Sequence, residues 1–181
     1  MTVKTLHEPE LLEHCHALED MVSRNFTPDV VVGIATGGAR IAEYMFKGIP
    51  HITVTCRRPV SESKRRSGGS KGFARLLPVW VKNVVRILDK KVFYIFKPSR
   101  LVPGVNMTPE DFKGKKNILV VDDAIEGGTT MLGVLTALRY LSGDPEIRSA
   151  VITTTSPNPL VQADYTLYNN RTLIRFPWDR F

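Results

Sequence analysis

Apolar residues arrive along this chain in short unbroken runs, with stretches of helical spacing between them. Val30, Val31 and Val32 lead to Gly33 and Ile34; Ile118, Leu119, Val120 and Val121 form a second run; Ala150, Val151 and Ile152 begin a third. Runs without polar alternation suit strands covered on both faces, as in a parallel sheet. Residues 51–56 and the apolar run at 92–96 add two more expected strands. Leu11, Leu12, Cys15, Leu18 and Val22 recur at helical spacing after about Pro9, residues 39–46 read as helical, and Leu132, Val134, Leu135 and Leu138 mark a helix ending near Gly143. Phe73, Leu76, Leu77, Trp80, Val81, Val84, Val85 and Leu88 show the same period, which fits a core-facing helix or a dimer surface. Residues 98–109 read as a loop. Strands alternating with helices predict an α/β fold with a doubly wound parallel sheet.

A chain of 181 residues suits one domain, 1–181, with a substantial core. It contains no apolar run long enough to cross a bilayer, and its first ten residues lack the apolar core of a signal peptide, so a cytoplasmic location is expected. Cys15 and Cys56 are far apart and read as reduced thiols. His14 and His16 flank Cys15, but residues two apart on a helix do not face each other, so a metal is not expected there. The net charge of +7 would fit nucleic acid, a membrane surface or a small polyanion. Its excess concentrates in Arg57, Arg58, Lys64, Arg65, Arg66 and Lys71, without interleaved aromatics or a nucleic-acid module. A flexible basic loop over about 59–72, closing on a small polyanion, accounts for this as well as RNA does.

The most informative segment runs Asn-Ile-Leu-Val-Val-Asp-Asp-Ala-Ile-Glu-Gly-Gly-Thr-Thr-Met over 117–131. It joins a buried strand, two carboxylates at its carboxyl end, a glycine turn and a helix start. Ligands of open α/β sheets bind at that end of the strands. Gly127 and Gly128 permit a tight turn and close approach of a ligand, Thr129 and Thr130 can cap the helix, and free N–H groups at a helix start attract phosphate. Asp122 and Asp123 would repel that phosphate unless they hold sugar hydroxyls, a magnesium ion, or both. A P-loop NTPase would need Gly-x-x-x-x-Gly-Lys-Ser/Thr and a dinucleotide fold Gly-x-Gly-x-x-Gly; neither occurs. The competing reading is an ordinary strand-to-helix turn with acidic capping residues.

The segment resembles the binding loop of type I phosphoribosyltransferases: apolar strand, acidic pair, two apolar residues, an acidic residue, then Thr-Gly-x-Thr. Gly127 stands where that family usually has threonine. The resemblance implies that Asp122 and Asp123 hold the ribose hydroxyls of phosphoribosyl pyrophosphate (PRPP) and, with it, Mg2+. It implies that Ala124, Ile125, Glu126, Gly127, Gly128, Thr129 and Thr130 wrap the 5′-phosphate, and that Glu126 accepts a proton near the base. Ala35, Thr36, Gly37 and Gly38, followed by Ala39 and Arg40, resemble the family's pyrophosphate loop. Arg57 and Arg58, with Lys64, Arg65 and Arg66, resemble the cations of the orotate-type catalytic loop. Over 172–179, Thr-Leu-Ile-Arg-Phe-Pro-Trp-Asp resembles the base-recognition tail of xanthine-guanine and hypoxanthine members, which places Leu173, Ile174, Phe176 and Asp179 at the base. In that tail Leu173 stands where an aromatic usually stacks on the purine, and no lysine stands near Ser156 and Pro157; Phe176 or Trp178 could stack instead. The implied protein is a homodimeric enzyme with a small hood built from terminal segments. It moves the phosphoribosyl group to a purine-like base, with orotate or a specialised base as alternatives. A PRPP-sensing regulator that binds nucleic acid is the reading from another class; nucleic acid is otherwise not an expected partner.

Overall fold

The computed structural model describes residues 2–56, 106–141, 143–169 and 172–179. Five strands form one parallel sheet: β2 (Val30–Ile34), β3 (His51–Val54), β4 (Asn117–Ile125), β5 (Glu146–Thr154) and β6 (Tyr165–Asn169). Their order is β3-β2-β4-β5-β6, with every neighbouring pair parallel. The helices are α1 (Glu8–Ser23), α2 (Gly37–Tyr44) and α3 (Thr129–Leu141).

The unbroken apolar runs have the cause expected of them. Val31, Leu119, Val121, Ala150 and Ile152 point to one face and pack with Leu11, Cys15, Leu18 and Val22 of α1 and Ile41 and Ala42 of α2. Val30, Val32, Ile34, Ile118, Val120 and Val151 point to the other face, against Met131, Val134 and Leu138 of α3 and Phe112 of a short 3-10 turn, Pro109–Phe112. Neighbouring residues of these central runs thus belong to opposite cores, so an alternating polar pattern has no solvent face to occupy. Asp29 sets the register where β2 and β4 begin: its Oδ2 accepts the N–H groups of Lys116 at 2.8 Å and Asn117 at 2.9 Å.

The chain leaves β2 towards β3 on one side, whereas β4 leads to β5 and β6 on the other. The strand order therefore reverses between β2 and β4, and the loops that follow these two strands open into the crevice at that switch point. A separate two-stranded parallel sheet joins the two ends of the chain, β1 (Thr2–Thr5) and β7 (Thr172–Arg175), with Val3 opposite Leu173 and Lys4 opposite Ile174. This is the hood. Ile174 and Phe176, together with Leu6, anchor it in the α1 core.

Several boundaries differ from those expected. β4 continues four residues past Val121, because β5 pairs with it as far as Ile125 opposite Thr154. α2 begins at Gly37 and stops at Tyr44, with Met45 extended. β3 ends at Val54; Thr55 turns both its N–H and its hydroxyl to Asn106 Oδ1. β1, β6 and β7 lack unbroken apolar runs and were not foreseen from patterning. The expected helix over 73–88, the strand at 92–96 and the basic loop over 59–72 lie outside the described residues. Of the expected loop over 98–109, Met107 is buried and Pro109 opens the 3-10 turn.

Candidate functional site

Asp122 and Asp123 lie towards the carboxyl end of β4, half-buried, where the strand passes the glycine turn after β2. Asp122 Oδ1 accepts the N–H of Asp123 at 2.9 Å. Burial, followed by the neighbouring Asp123 charge, pushes the Asp122 carboxyl well above the usual carboxylate range. Burial also raises Asp123, and hydrogen bonds from Trp178 and the Ala124 N–H oppose the rise. Two carboxylates held this close, with their charge poorly solvated, favour a bound cation or hydroxyl donors.

The turn after β2 is built against this pair. Gly37 and Gly38 are buried, and a Cβ on Gly37 would sit 1.8 Å from Asp123 Oδ2. One on Gly38 would lie 2.3 Å from the Val121 carbonyl oxygen and 2.7 Å from Asp122 Cα. Glycine at both positions is thus a packing requirement, and it brings the amino end of α2 directly onto the carboxylates. Ala35 and Thr36 stay exposed beside it, joined by a cis peptide bond, and the Ala35 N–H donates to Val54 O at 2.8 Å.

After β4, Glu126 and Gly127 are exposed and Gly128 is buried. Gly128 has φ +78°, and a Cβ there would meet Val161 N at 2.9 Å. Its carbonyl accepts the N–H of Leu132 at 2.9 Å, so Gly128 itself caps α3. Thr129 and Thr130, expected as capping residues, are instead the first two residues of the helix. Gly127 differs from its neighbour: the nearest atom to a Cβ there is Thr129 Oγ1 at 4.0 Å, and its carbonyl accepts the Leu160 N–H at 3.0 Å. The N–H groups of a helix's first turn have no intrahelical acceptor, and such an end favours negative charge.

The tail reaches the same place from the hood. Trp178 Nε1–H donates to Asp123 Oδ2 at 3.2 Å. Its indole stacks on Phe176, with ring centres 5.0 Å apart and planes 4° from parallel, and the Arg40 guanidinium lies 5.6 Å from its ring centre. Asp179 is exposed, and its Oδ2 accepts the Phe176 N–H at 2.7 Å. Leu173 is 36% exposed on the hood, whereas Ile174 and Phe176, at 4% and 5%, are core residues. Patterning gave no sign that Trp178 contacts the acidic pair, because the partner lies 55 residues away. Arg57, Arg58, Lys64, Arg65 and Arg66 lie outside the described residues.

The donor set fits magnesium as a shared ligand. Among the described residues no cluster of three or more His, Cys, Asp or Glu could hold a metal, and those residues offer the carboxylate pair of Asp122 and Asp123. Mg2+ is commonly held by one or two carboxylates together with substrate phosphates and water. The His14–Cys15–His16 triplet offers nothing comparable. Cys15 is buried, with its thiol pushed up to about 12 by burial, while the His14 ring bonds Tyr168 Oη and the Glu10 carbonyl.

Comparison with known proteins identifies the family and the fold. The family model for a phosphoribosyl transferase domain matches residues 2–180. Among solved structures, a purine phosphoribosyltransferase from Pyrococcus horikoshii shares 20% identity, with 100% of this chain and 96% of that one covered and a TM-score of 0.65. The Helicobacter pylori xanthine-guanine-hypoxanthine phosphoribosyltransferase shares 15% identity over 97% and 93% of the two chains, with a TM-score of 0.64. A hypothetical protein from Neisseria gonorrhoeae with bound ppGpp shares 17% over 99% and 90%, with a TM-score of 0.65. No curated protein matches the sequence. No helix among the described residues is long and apolar enough to cross a membrane.

Proposed function

Since the chain belongs to the phosphoribosyl transferase family, we propose that it transfers the 5-phosphoribosyl group of PRPP to a ring nitrogen of a purine-like base, releasing pyrophosphate. The observation that supports this reading is the seating of Gly37 and Gly38 against Asp122 and Asp123, which brings the glycine turn after β2 onto the acidic pair that precedes the glycine turn after β4. PRPP has the complementary shape: a 5′-phosphate at one end, a pyrophosphate at the other, and ribose hydroxyls between.

In this reading the turn of Ala124, Ile125, Glu126, Gly127, Gly128, Thr129 and Thr130 holds the 5′-phosphate. Ala35, Thr36, Gly37 and Gly38 hold pyrophosphate, and Asp122 and Asp123 hold the ribose hydroxyls and Mg2+. When bound, Mg2+ supplies charge neutralisation for the departing pyrophosphate. The C1–oxygen bond breaks as the acceptor nitrogen bonds to C1, and Glu126 takes the proton that the nitrogen loses. The carboxylates face the ribose as positive character develops at C1, so positioning and electrostatics supply most of the acceleration. Arg57, Arg58, Lys64, Arg65 and Arg66 are the proposed cationic partners of pyrophosphate. On the base side, Leu173 and Asp179 are the exposed members assigned to the base, and Ile174 and Phe176, buried in the α1 core, support them from beneath. A cytoplasmic homodimer completes the proposal.

The test is calorimetric titration with Mg-PRPP, followed by pyrophosphate release across purine, pyrimidine and modified bases. Release that depends on a purine supports the proposal, and release with orotate or another base alone reassigns the acceptor. Absence of PRPP binding would remove the reading altogether.

A further inference from the structure

Trp178 belongs to the tail, yet its polar atom is spent on β4. Its N–H reaches Asp123 Oδ2 at 3.2 Å, one ring face lies parallel to Phe176, and the Arg40 guanidinium sits 5.6 Å from the ring centre. Phe176 is 5% exposed and its own N–H is tied to Asp179, so one side of this stack is anchored in the core. Arg40 stands in the first turn of α2, next to the glycines that abut Asp123. Three segments remote in sequence therefore converge on a single carboxylate: β4 provides it, Gly37 walls one side, and the indole holds Oδ2.

We propose that Trp178 is a positioning residue: its indole N–H fixes the rotamer of Asp123 so that the remaining oxygen lone pairs face the PRPP site, and Arg40 and Phe176 hold the indole in place. The proposal rests on the reading of Asp123 as a PRPP-binding group. A carboxylate offers about four acceptor sites on two oxygens, so one bond to indole leaves most of them for hydroxyls or a cation. An unheld aspartate would sample other rotamers and spend binding free energy on being ordered. Trp178 touches no substrate in this scheme and acts only through Asp123.

Trp178→Phe keeps the ring and its stack and removes only the donor. The hydrogen bond is tested first, without any ligand. The chain holds two tryptophans, and the indole N–H resonance that disappears in Trp178→Phe should shift when Asp123 is changed to Asn. No shift would overturn the proposal at its geometric root. Calorimetry with Mg-PRPP follows. The variant should bind about ten- to a hundredfold more weakly, the range for a hydrogen bond to a charged acceptor, while kcat at saturation stays within about twofold and Tm stays near that of the wild type. Arg40→Ala should weaken binding in the wild-type background and add little in the Trp178→Phe background, since it acts through the indole. Wild-type-like PRPP affinity in Trp178→Phe would overturn the positioning role alone. Failure of the wild type to bind PRPP would overturn the PRPP reading, and this proposal with it.

Discussion

Burial makes a charge on Asp122 costly in the folded protein, and a bound cation would offset that cost. Its carboxyl is raised well above the ordinary carboxylate value, by burial first and by the Asp123 charge second. The folded state therefore holds its proton to higher pH than the unfolded state does, and stability falls as pH rises from the ordinary carboxylate value through the raised one. Asp122→Asn removes that loss. It should leave Tm nearly unchanged at a pH below the ordinary value and raise it at neutral pH, while PRPP affinity drops. Thermal scans across pH check the first part and calorimetry the second. Glu126→Gln should act differently, with PRPP affinity within about twofold and turnover lowered on the order of a hundredfold, as for the loss of a proton acceptor. The glycines form a contrasting pair. Gly37→Ala drives a Cβ into the Asp123 carboxylate, so PRPP affinity should fall at least about tenfold through loss of that geometry. At Gly127 a Cβ meets nothing closer than 4.0 Å. Gly127→Thr should keep Tm unchanged and tighten PRPP binding up to about fivefold, the value of one added hydrogen bond; equal affinity in the two proteins would show that the added hydroxyl makes no contact with phosphate.

Among the elements, β4 and α3 meet at a turn that only glycine can make. Gly128 combines φ +78° with a backbone wall, Val161 N, 2.9 Å from where a Cβ would stand. Gly128→Ala should cost about 1–3 kcal/mol, visible as a lower urea midpoint at unchanged m-value. A phosphate-binding defect without loss of stability would contradict the strain argument. The same turn shows where pattern reading stops. Its glycines and threonines were visible in sequence, but the cap falls on Gly128, because β4 runs on to Ile125 under the pull of its ladder with β5. Four apolar residues announced the strand, and pairing set its length.

At the level of the whole molecule, the hood and the sheet should unfold together, because Ile174 of β7 and Phe176 just after it pack into the α1 core. Ile174→Ala should destabilise the entire fold by about 2–5 kcal/mol, lowering Tm on the order of 10 °C, and it should weaken PRPP binding as the Phe176–Trp178 stack shifts. Differential scanning calorimetry with and without PRPP separates the two effects. A lower Tm with intact affinity would place the Trp178 contact beyond the reach of hood packing.

The sequence by itself determined the parallel sheet and the acidic turn. Strands buried on both faces favour unbroken apolar runs, and Asp-Asp before a glycine turn is a local pattern that tertiary structure does not have to complete. The edge strand β6 and the hood strands escaped, because an exposed face permits polar residues and leaves no run to see. Only the tertiary structure decided that Gly37 abuts Asp123, that Trp178 donates to the same carboxylate, and that Ile174 is core while Leu173 is surface. These contacts join segments that are far apart along the chain, and the strand order that brings them together is written in no single window of residues.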